Sequence, residues 1–365
     1  MKVIQILSNL NRADAIGNEV LAMDEALKQQ GYHSQIMSIT IHEALRYKAS
    51  EVDFTTIAPE DLVIFHKATG DLLMKPVTRL PCRKIMVYHN ITPAKYFFPY
   101  DRIMTANLWL GRHQLRRFTS RMDSCWADSS FNAEELLRCG ALKEKTHVLP
   151  ILFSENETTV QPDRRTMEKL QAVKGAKLFC IGRIAPNKKL EDAIKLYVYY
   201  RESYDKDAVL FLAGSWDGLE KYYAKLRGFC ADLNLKDDQV IFTGRITEEE
   251  KEAYLQKTDA LLCMSEHEGF CVPLLEAMKR NLPILAYAKA AVPETLGESE
   301  CLFSEKNYSA MADCLDRLRK DELFRAKILK TQRQSLQRFD PEATRKQFLL
   351  LANEAVNGTG ASRYG

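Results

Sequence analysis

No stretch of this 365-residue chain approaches the about 20 consecutive apolar residues that a membrane-crossing helix needs. The opening run, MKVIQILSNLNRADAIGNEV, is short in apolar residues and interrupted by Asn and Arg, so it does not read as a secretory leader. There is no CxxC pair and no metal-ligand spacing among the nine cysteines, at 82, 125, 139, 180, 230, 263, 271, 301 and 314. Scattered thiols in odd number fit a reduced, cytosolic protein, in which each serves as a small core residue. Large charge imbalance is missing too: the net charge is +3. The total therefore implies no particular partner, and only local clusters can. No low-complexity segment occurs, and no internal repeat beyond two similar halves.

What is present is a globular composition, 46% hydrophobic and 28% charged, at a length that suits about two domains. KVIQIL (2–7), HSQIMSI (33–39), DLVIFH (61–66) and RKIMVYH (83–89) read as strands that run into polar loops. The segment from Gly17 to Gln30 reads as a helix, with Val20, Leu21, Met23 and Leu27 at helical spacing and Gly31 ending it. The pattern restarts after a polar stretch, 161–175, read as linker plus a lead-in to the second half. KLFCIG, AVLFLAG, QVIFTG, ALLCMS and PILAYA are then five strands alternating with helices. This predicts an α/β fold of two Rossmann-like domains with parallel sheets facing a cleft. The expected boundaries are 1–165 and 166–340 for the two Rossmann-like domains, with a helix at 341–357 crossing back to the first domain. A disordered tail is expected at 358–365.

In such sheets ligands sit at the carboxyl ends of strands, which selects the loops to read. GRIAPNKKL (182–190) places Arg183 and Lys188 between a strand and a helix, where two cations make either an anion site or a solvated basic loop. SEHEGFCVPLLEAM (265–278) holds three acids within eleven residues. Pro273 suits a first helical turn. Gly269, Phe270, Cys271 and Val272 then stand at a helix entrance, where backbone N–H groups can meet phosphate or hydroxyls. Glu268 precedes them and Glu276 follows. Glu276 also fits a plain helix-dipole acid, and Glu266 reads as solvated. His89 and His66 both end strands, His89 as either a cleft or a core histidine, and His267 reads as a loop residue. Asp205-Lys206-Asp207 is a literal DxD, but it falls between a helix and the start of a strand, the wrong end of the sheet. It reads as a surface turn, and no metal is expected.

The E-x7-E spacing of Glu268 and Glu276, with GRIAPNK, AGSWDGLEKYYAKL, VIFTGRITEEEKEAYLQKTDALLCMSEHEGFCVPLLEAM and AVPETLG in order over residues 176–300, resembles a retaining glycosyltransferase of family 4. IGNEVL and VYHNITP are similar to segments of bacterial members that build surface polysaccharides. The resemblance implies a GT-B fold and a nucleotide-diphosphate sugar as donor substrate, with no cofactor. It implies that Arg183 and Lys188 hold the diphosphate and Glu276 the ribose. It places Glu268 at the donor sugar, with the backbone of Phe270, Cys271 and Val272 on hydroxyls and phosphate. Ile246 would meet the base through its backbone, Gly17 would let the first loop approach the diphosphate, and His89 would lie near the transferred sugar. Cys271 departs from the family, which usually has Gly there. The implied reaction moves a hexose from a GDP-mannose or UDP-hexose type donor to a glycan or lipid-linked acceptor, with an α linkage. Alternatives are a GT-B epimerase or phosphorylase, a non-catalytic binding module, or a nucleic-acid binder.

Residues 79–121 carry nine basic side chains, at 79, 83, 84, 95, 102, 112, 116, 117 and 121, against one acid, Asp101. Tyr96, Phe97, Phe98, Tyr100, Trp109 and Phe118 lie among them. Cations with aromatics suit an anionic membrane surface or a lipid-diphosphate acceptor. A solvated basic face over core aromatics is the other reading. The expected location is cytoplasmic, peripheral on the membrane's inner face.

Overall fold

The computed structural model describes residues 1–11, 15–153 and 160–357. The chain divides into two compact units: Met1–Ala94, Ile103–Glu157 and Phe339–Gly365 in one, Lys95–Arg102 and Thr158–Arg338 in the other. The short Lys95–Arg102 segment thus groups with the second unit.

The first unit is built on a parallel sheet of seven strands in the order Ser50–Glu51, Ser34–Ile41, Val3–Leu10, Leu62–Lys67, Arg83–Tyr88, Ser124–Ala127 and Thr146–Val148. Val3, Ile64, Val87 and Trp126 of this sheet share one core with Ala22 and Leu27 of the helix Ala15–Gln29. Phe348, Leu351 and Ala352 complete that core. They belong to the last helix, Pro341–Asn357, which therefore joins the first unit although it follows the second in sequence.

The second unit carries a parallel six-stranded sheet, ordered Val240–Gly244, Val209–Ala213, Lys177–Ile181, Ala260–Cys263, Ile284–Tyr287 and Leu302–Phe303. In chain order this is third, second, first, fourth, fifth, sixth, the doubly wound arrangement whose direction of winding reverses between the first and fourth strands.

The long apolar strands lie within a few residues of their expected positions. The short ones, Ser50–Glu51, Ser124–Ala127, Thr146–Val148 and Leu302–Phe303, carry too few residues to show an alternation. The stretch 161–175 is not a linker. Residues Arg164–Ala172 form a helix that Asp163 caps by accepting from the Thr166 N–H at 3.0 Å. Only Thr166 and Leu170 of it are buried, so its sequence shows little apolar period. The expected disordered tail, 358–365, lies outside the described residues.

Candidate functional site

The reversal point of the second sheet decides which loops can meet a ligand. The strand Lys177–Ile181 leads into 182–190 and its neighbour Ala260–Cys263 into 264–271, so these two loops flank one crevice. They are tied together. The Asn187 side-chain amide donates to the His267 carbonyl at 3.0 Å, and the Glu266 N–H donates to the Asn187 carbonyl at 2.8 Å. A pocket with about 470 Å³ of empty space opens between them, lined by Gly182, Arg183, Lys188, Cys263, Glu268 and Cys271 among others. Gly182 holds φ 133°, and a Cβ there would sit 3.6 Å from the Lys188 Cε. The angle is what calls for glycine here, since such a Cβ would make only an ordinary contact with Lys188.

Lys188 ends the short turn Pro186–Lys188, and its Nζ donates to Glu268 Oε1 at 2.6 Å. Glu268 is buried. Burial, the largest single influence on Lys188, would lower its pKa; the adjacent Glu268 carboxylate, together with the Cys271 and Cys263 sulfurs, raises the ammonium above its ordinary value. Arg183 is exposed and donates to the Asp217 carbonyl at 3.1 Å. One pocket thus brings together two cations and one carboxylate, a combination suited to an anion that also carries hydroxyls.

The second loop ends in the helix Val272–Lys279, with Pro273 in its first turn. Its N-cap is Cys271, in left-handed backbone conformation at φ 77° and ψ 66°. That region is open to glycine and costs other residues about 1–3 kcal/mol. Cys271 thus holds a backbone conformation that glycine would hold without that strain. Glu276 lies on the half-buried side of the helix, while Leu274, Leu275 and Met278 are buried. It accepts from Lys251 Nζ at 2.6 Å. Phe270 is buried and its carbonyl accepts from the Thr295 hydroxyl at 2.5 Å. Ile246 is half-buried just before Thr247, whose capping box with Glu250 starts the helix Glu248–Lys257.

Glu266 is not solvated. It is half-buried, 3.0 Å from Lys306 Nζ and 3.8 Å from Lys189 Nζ. Lys306 also reaches Asp192 at 2.5 Å, and Tyr308 donates to Asp192 at 2.9 Å. The Tyr96 hydroxyl is pushed up to about 12, by burial first and then by Glu266, to which it is hydrogen-bonded. The cations that claim Glu266 come from distant sequence, which is why spacing alone left it exposed. His267, read as a loop residue, is in the loop but buried. Lys251, Asn187 and Lys306 went unnoticed in sequence for the same reason. The Trp216–Tyr223 stack, with ring centroids 4.1 Å apart and Trp216 beside Gly244, was also missed. The DxD lies at the amino end of the sheet as expected. Asp205 there accepts from the Ala176 N–H at 2.7 Å and from Arg319 at 2.6 Å.

In the first unit, Gly17 is buried in the opening turns of Ala15–Gln29. His89 follows the strand Arg83–Tyr88, and its ring lies in a buried chain of hydrogen bonds. Gln5 Nε2 donates to the Val20 carbonyl at 3.0 Å, so Gln5 Oε1 faces His66 Nε2, at 3.0 Å, as an acceptor. His66 therefore carries its proton on Nε2. Burial and the neighbouring His89 hold its pKa well below the ordinary value, so its Nδ1 accepts from His89 Nε2 at 3.0 Å. His89 Nδ1 is left facing Asp128 at 3.2 Å and Glu19 at 3.4 Å. Burial raises the Glu19 carboxyl to about 8; His89 opposes this and Asp128 reinforces it. His66 and His89 thus act as one hydrogen-bonded pair with their ring planes 4° apart.

The basic stretch 79–121 does not form one uniform face. Arg112 turns inward, donating to the Ile91 carbonyl at 2.7 Å and pairing with Glu135. Arg83 donates to the Ala355 and Val356 carbonyls at 2.6 and 2.7 Å, at the end of the last helix. Lys84 binds the Leu80 and Cys82 carbonyls. Arg116, Arg117 and Arg121 are exposed, and so are Ile103 and Trp109 on the helix Arg102–Phe118. No helix of the described residues is long and apolar enough to cross a membrane.

Residues 163–335 match the family described as "Glycosyl transferases group 1". The serotype-specific mannosyltransferase WbdA of Escherichia coli is 23% identical over 295 residues, 76% of this chain and 34% of WbdA. The α-1,3/1,6-mannosyltransferase ALG2 of Kluyveromyces lactis is 26% identical over 175 residues, 41% of this chain and 34% of ALG2. The chain thus spans about a third of the length of these curated relatives. Among solved structures, Anabaena HepE, determined with UDP and glucose, superposes with a TM-score of 0.74 at 17% identity over 97% of this chain and 100% of HepE. WaaG, described as a glycosyltransferase involved in lipopolysaccharide biosynthesis, gives 0.70 at 12% identity, covering 98% and 100%. The chain therefore has the GT-B fold of these glycosyltransferases, and its second unit carries the sequence pattern of the group 1 glycosyl transferases, resembling those of bacterial polysaccharide synthesis.

Proposed function

We propose that the chain is a retaining glycosyltransferase. It moves a hexose from a nucleotide-diphosphate sugar, of the GDP-mannose or UDP-hexose type, to a glycan or lipid-linked acceptor, forming an α linkage in surface polysaccharide or glycolipid synthesis. The observation that carries this reading is the Lys188–Glu268 pair, 2.6 Å long, at the reversal point of the sheet, with Arg183 lining the same pocket. Departure of a nucleoside diphosphate builds negative charge on its phosphates. Arg183 and Lys188 stabilise that charge without requiring a metal. One of the three Lys188 protons serves Glu268 and leaves two for phosphate oxygens. Glu268 receives hydroxyls of the donor sugar, Glu276 those of the ribose, and the backbone around Phe270 to Val272 and at Ile246 meets the sugar phosphate and the base. For Gly17 and His89 of the first unit, the roles at the diphosphate and near the transferred sugar rest on the family resemblance alone. The donor phosphate itself serves as base toward the acceptor hydroxyl, so no further carboxylate is needed. The named mannosyltransferase relatives favour a mannosyl donor.

The test is calorimetry with UDP and GDP on the parent, Arg183→Ala and Glu276→Ala, followed by transfer of radiolabelled sugar from a donor panel. Parent binding should weaken by at least about tenfold in each variant, one charge-assisted contact being worth about 1.5–3 kcal/mol. Equal affinity in parent and variants sinks the donor-site assignment. Donor turnover without an acceptor favours the epimerase alternative.

A further inference from the structure

The donor pocket contains more sulfur than binding a sugar nucleotide requires. Cys180, Cys263 and Cys271 all line it. Cys263 and Cys271 are buried with their Sγ atoms 3.9 Å apart. Glu268 completes the group: one atom from each of the three side chains lies within 4.8 Å of the others. Cys271 also occupies its left-handed position at a backbone cost that glycine would not incur. Strain kept at such a point directs attention to the side chain that imposes it.

We propose that Cys263, Cys271 and Glu268 form a binding site for a thiophilic divalent cation of the zinc class. The geometry favours a cation over a disulfide. In a tetrahedral site with metal–sulfur bonds of about 2.3 Å, two sulfurs stand about 3.8 Å apart, close to the 3.9 Å found here. A disulfide needs about 2.05 Å between its sulfurs, well short of the separation found here. The charges also balance. Binding releases one proton from each thiol to solvent, and two thiolates with one carboxylate carry three negative charges. A divalent cation and the Lys188 ammonium supply three positive ones. Lys188 already donates to Glu268 Oε1 at 2.6 Å, so the outer partner that orients a ligating carboxylate is in place; the cation then takes the carboxylate in place of a donor-sugar hydroxyl. The other cluster of this kind among the described residues, Glu19, His89 and Asp128, is built around the hydrogen-bonded imidazole pair and offers no sulfur.

The experiment uses the full chain, stripped of metal and kept reduced with a phosphine. It is titrated with Cd²⁺ while the thiolate-to-cadmium charge-transfer absorption is followed, and Zn²⁺ is then added as competitor. The parent should show a saturable band that Zn²⁺ removes. Cys271→Gly relieves the backbone strain and should fold, yet bind at least about 100-fold more weakly, since even an outer-shell change costs 10–100-fold. Glu268→Gln should weaken binding in the same direction. Cys301→Ser breaks up the separate Cys301–Cys314 pair, 3.0 Å apart, and should leave the band unchanged. No band in the parent, or a band of parental affinity in Cys271→Gly, overturns the proposal, and its loss in Cys301→Ser would place the binding at the other cysteine pair. The readout is metal binding, so it is independent of whether the pocket takes a sugar nucleotide.

Discussion

At the scale of single residues, buried charge governs what each group can do. Glu19 shows this with a sign that can be measured. It sits on the first helix, with His89 after one strand and Asp128 after the next facing it, and His66 behind His89. Its carboxyl rises from 4.5 to about 8 on folding, chiefly by burial. The folded state therefore holds the proton more tightly than the unfolded chain. The stability this gives is fully present below about pH 4.5 and is lost as pH rises toward about 8, with a limiting slope of about 1.4 kcal/mol per pH unit. Glu19→Gln removes that loss. Urea midpoints should show the variant gaining on the parent from about pH 5 to about pH 8, by on the order of 3–4 kcal/mol at the upper end. Parallel curves for the two proteins would refute the raised carboxyl. None of this was legible in sequence. IGNEV and VYHN are far apart in the chain, and only the sheet brings their side chains within 3.4 Å. That Arg183, Lys188 and Glu268 stand around one pocket was legible, because strand-end loops before helices place them whatever the rest of the chain does, whereas Glu276 stands inside the following helix and does not line that pocket. Cys271 was half legible: its departure from Gly was visible, but not that the backbone keeps the glycine angle.

At the scale of the element, the helix Arg102–Phe118 separates cations that the sequence counts together. Helical spacing turns Arg112 toward Glu135, whose other carboxylate oxygen accepts from Tyr88 at 2.5 Å. Arg116 and Arg117 point to solvent, on a helix that also exposes Ile103 and Trp109. Two different outcomes follow from neighbouring arginines. Arg112→Ala leaves the largely buried Glu135 short of its cation and should cost about 1–3 kcal/mol in a denaturant titration. Arg116→Glu with Arg117→Glu should leave stability within about 0.5 kcal/mol, because exposed charges away from caps and cores contribute little. It should abolish binding to vesicles containing anionic lipid, measured by co-sedimentation, and should do so more at low salt than at high, since screening weakens such contacts. Unchanged co-sedimentation of the double variant counts against a membrane role for this face. Composition showed that the stretch was basic and aromatic. It could not show which charges were already engaged, because that depends on partners at 91, 135, 355 and 356.

At the scale of the molecule, the two sheets were readable from their long apolar strands, and the class follows from strands alternating with helices. The short strands at 50–51, 124–127, 146–148 and 302–303 and the capped helix at 164–172 were not, because no apolar run flags the former and a single buried Leu leaves no period in the latter. The last helix has a different kind of importance. It ties residues 341–357 into a core laid down by the first half of the chain. Its anchor is Phe348, fully buried and edge-on to Trp126 with centroids 6.0 Å apart. Arg83 holds the far end of the same helix by two carbonyls. Phe348→Ala removes a buried aromatic from that core and should cost the first unit about 3–5 kcal/mol. The three tryptophans divide conveniently. Trp109 and Trp126 lie in the first unit and Trp216 in the second. With Trp109 and Trp216 replaced by Phe, fluorescence follows the first unit; with Trp109 and Trp126 replaced, it follows the second. In urea the Phe348→Ala transition seen by Trp126 should move to lower denaturant, while the transition seen by Trp216 keeps its midpoint. If both probes shift together, the units unfold as one body and the helix stabilises the whole chain; if neither shifts, its packing contributes nothing to the first core.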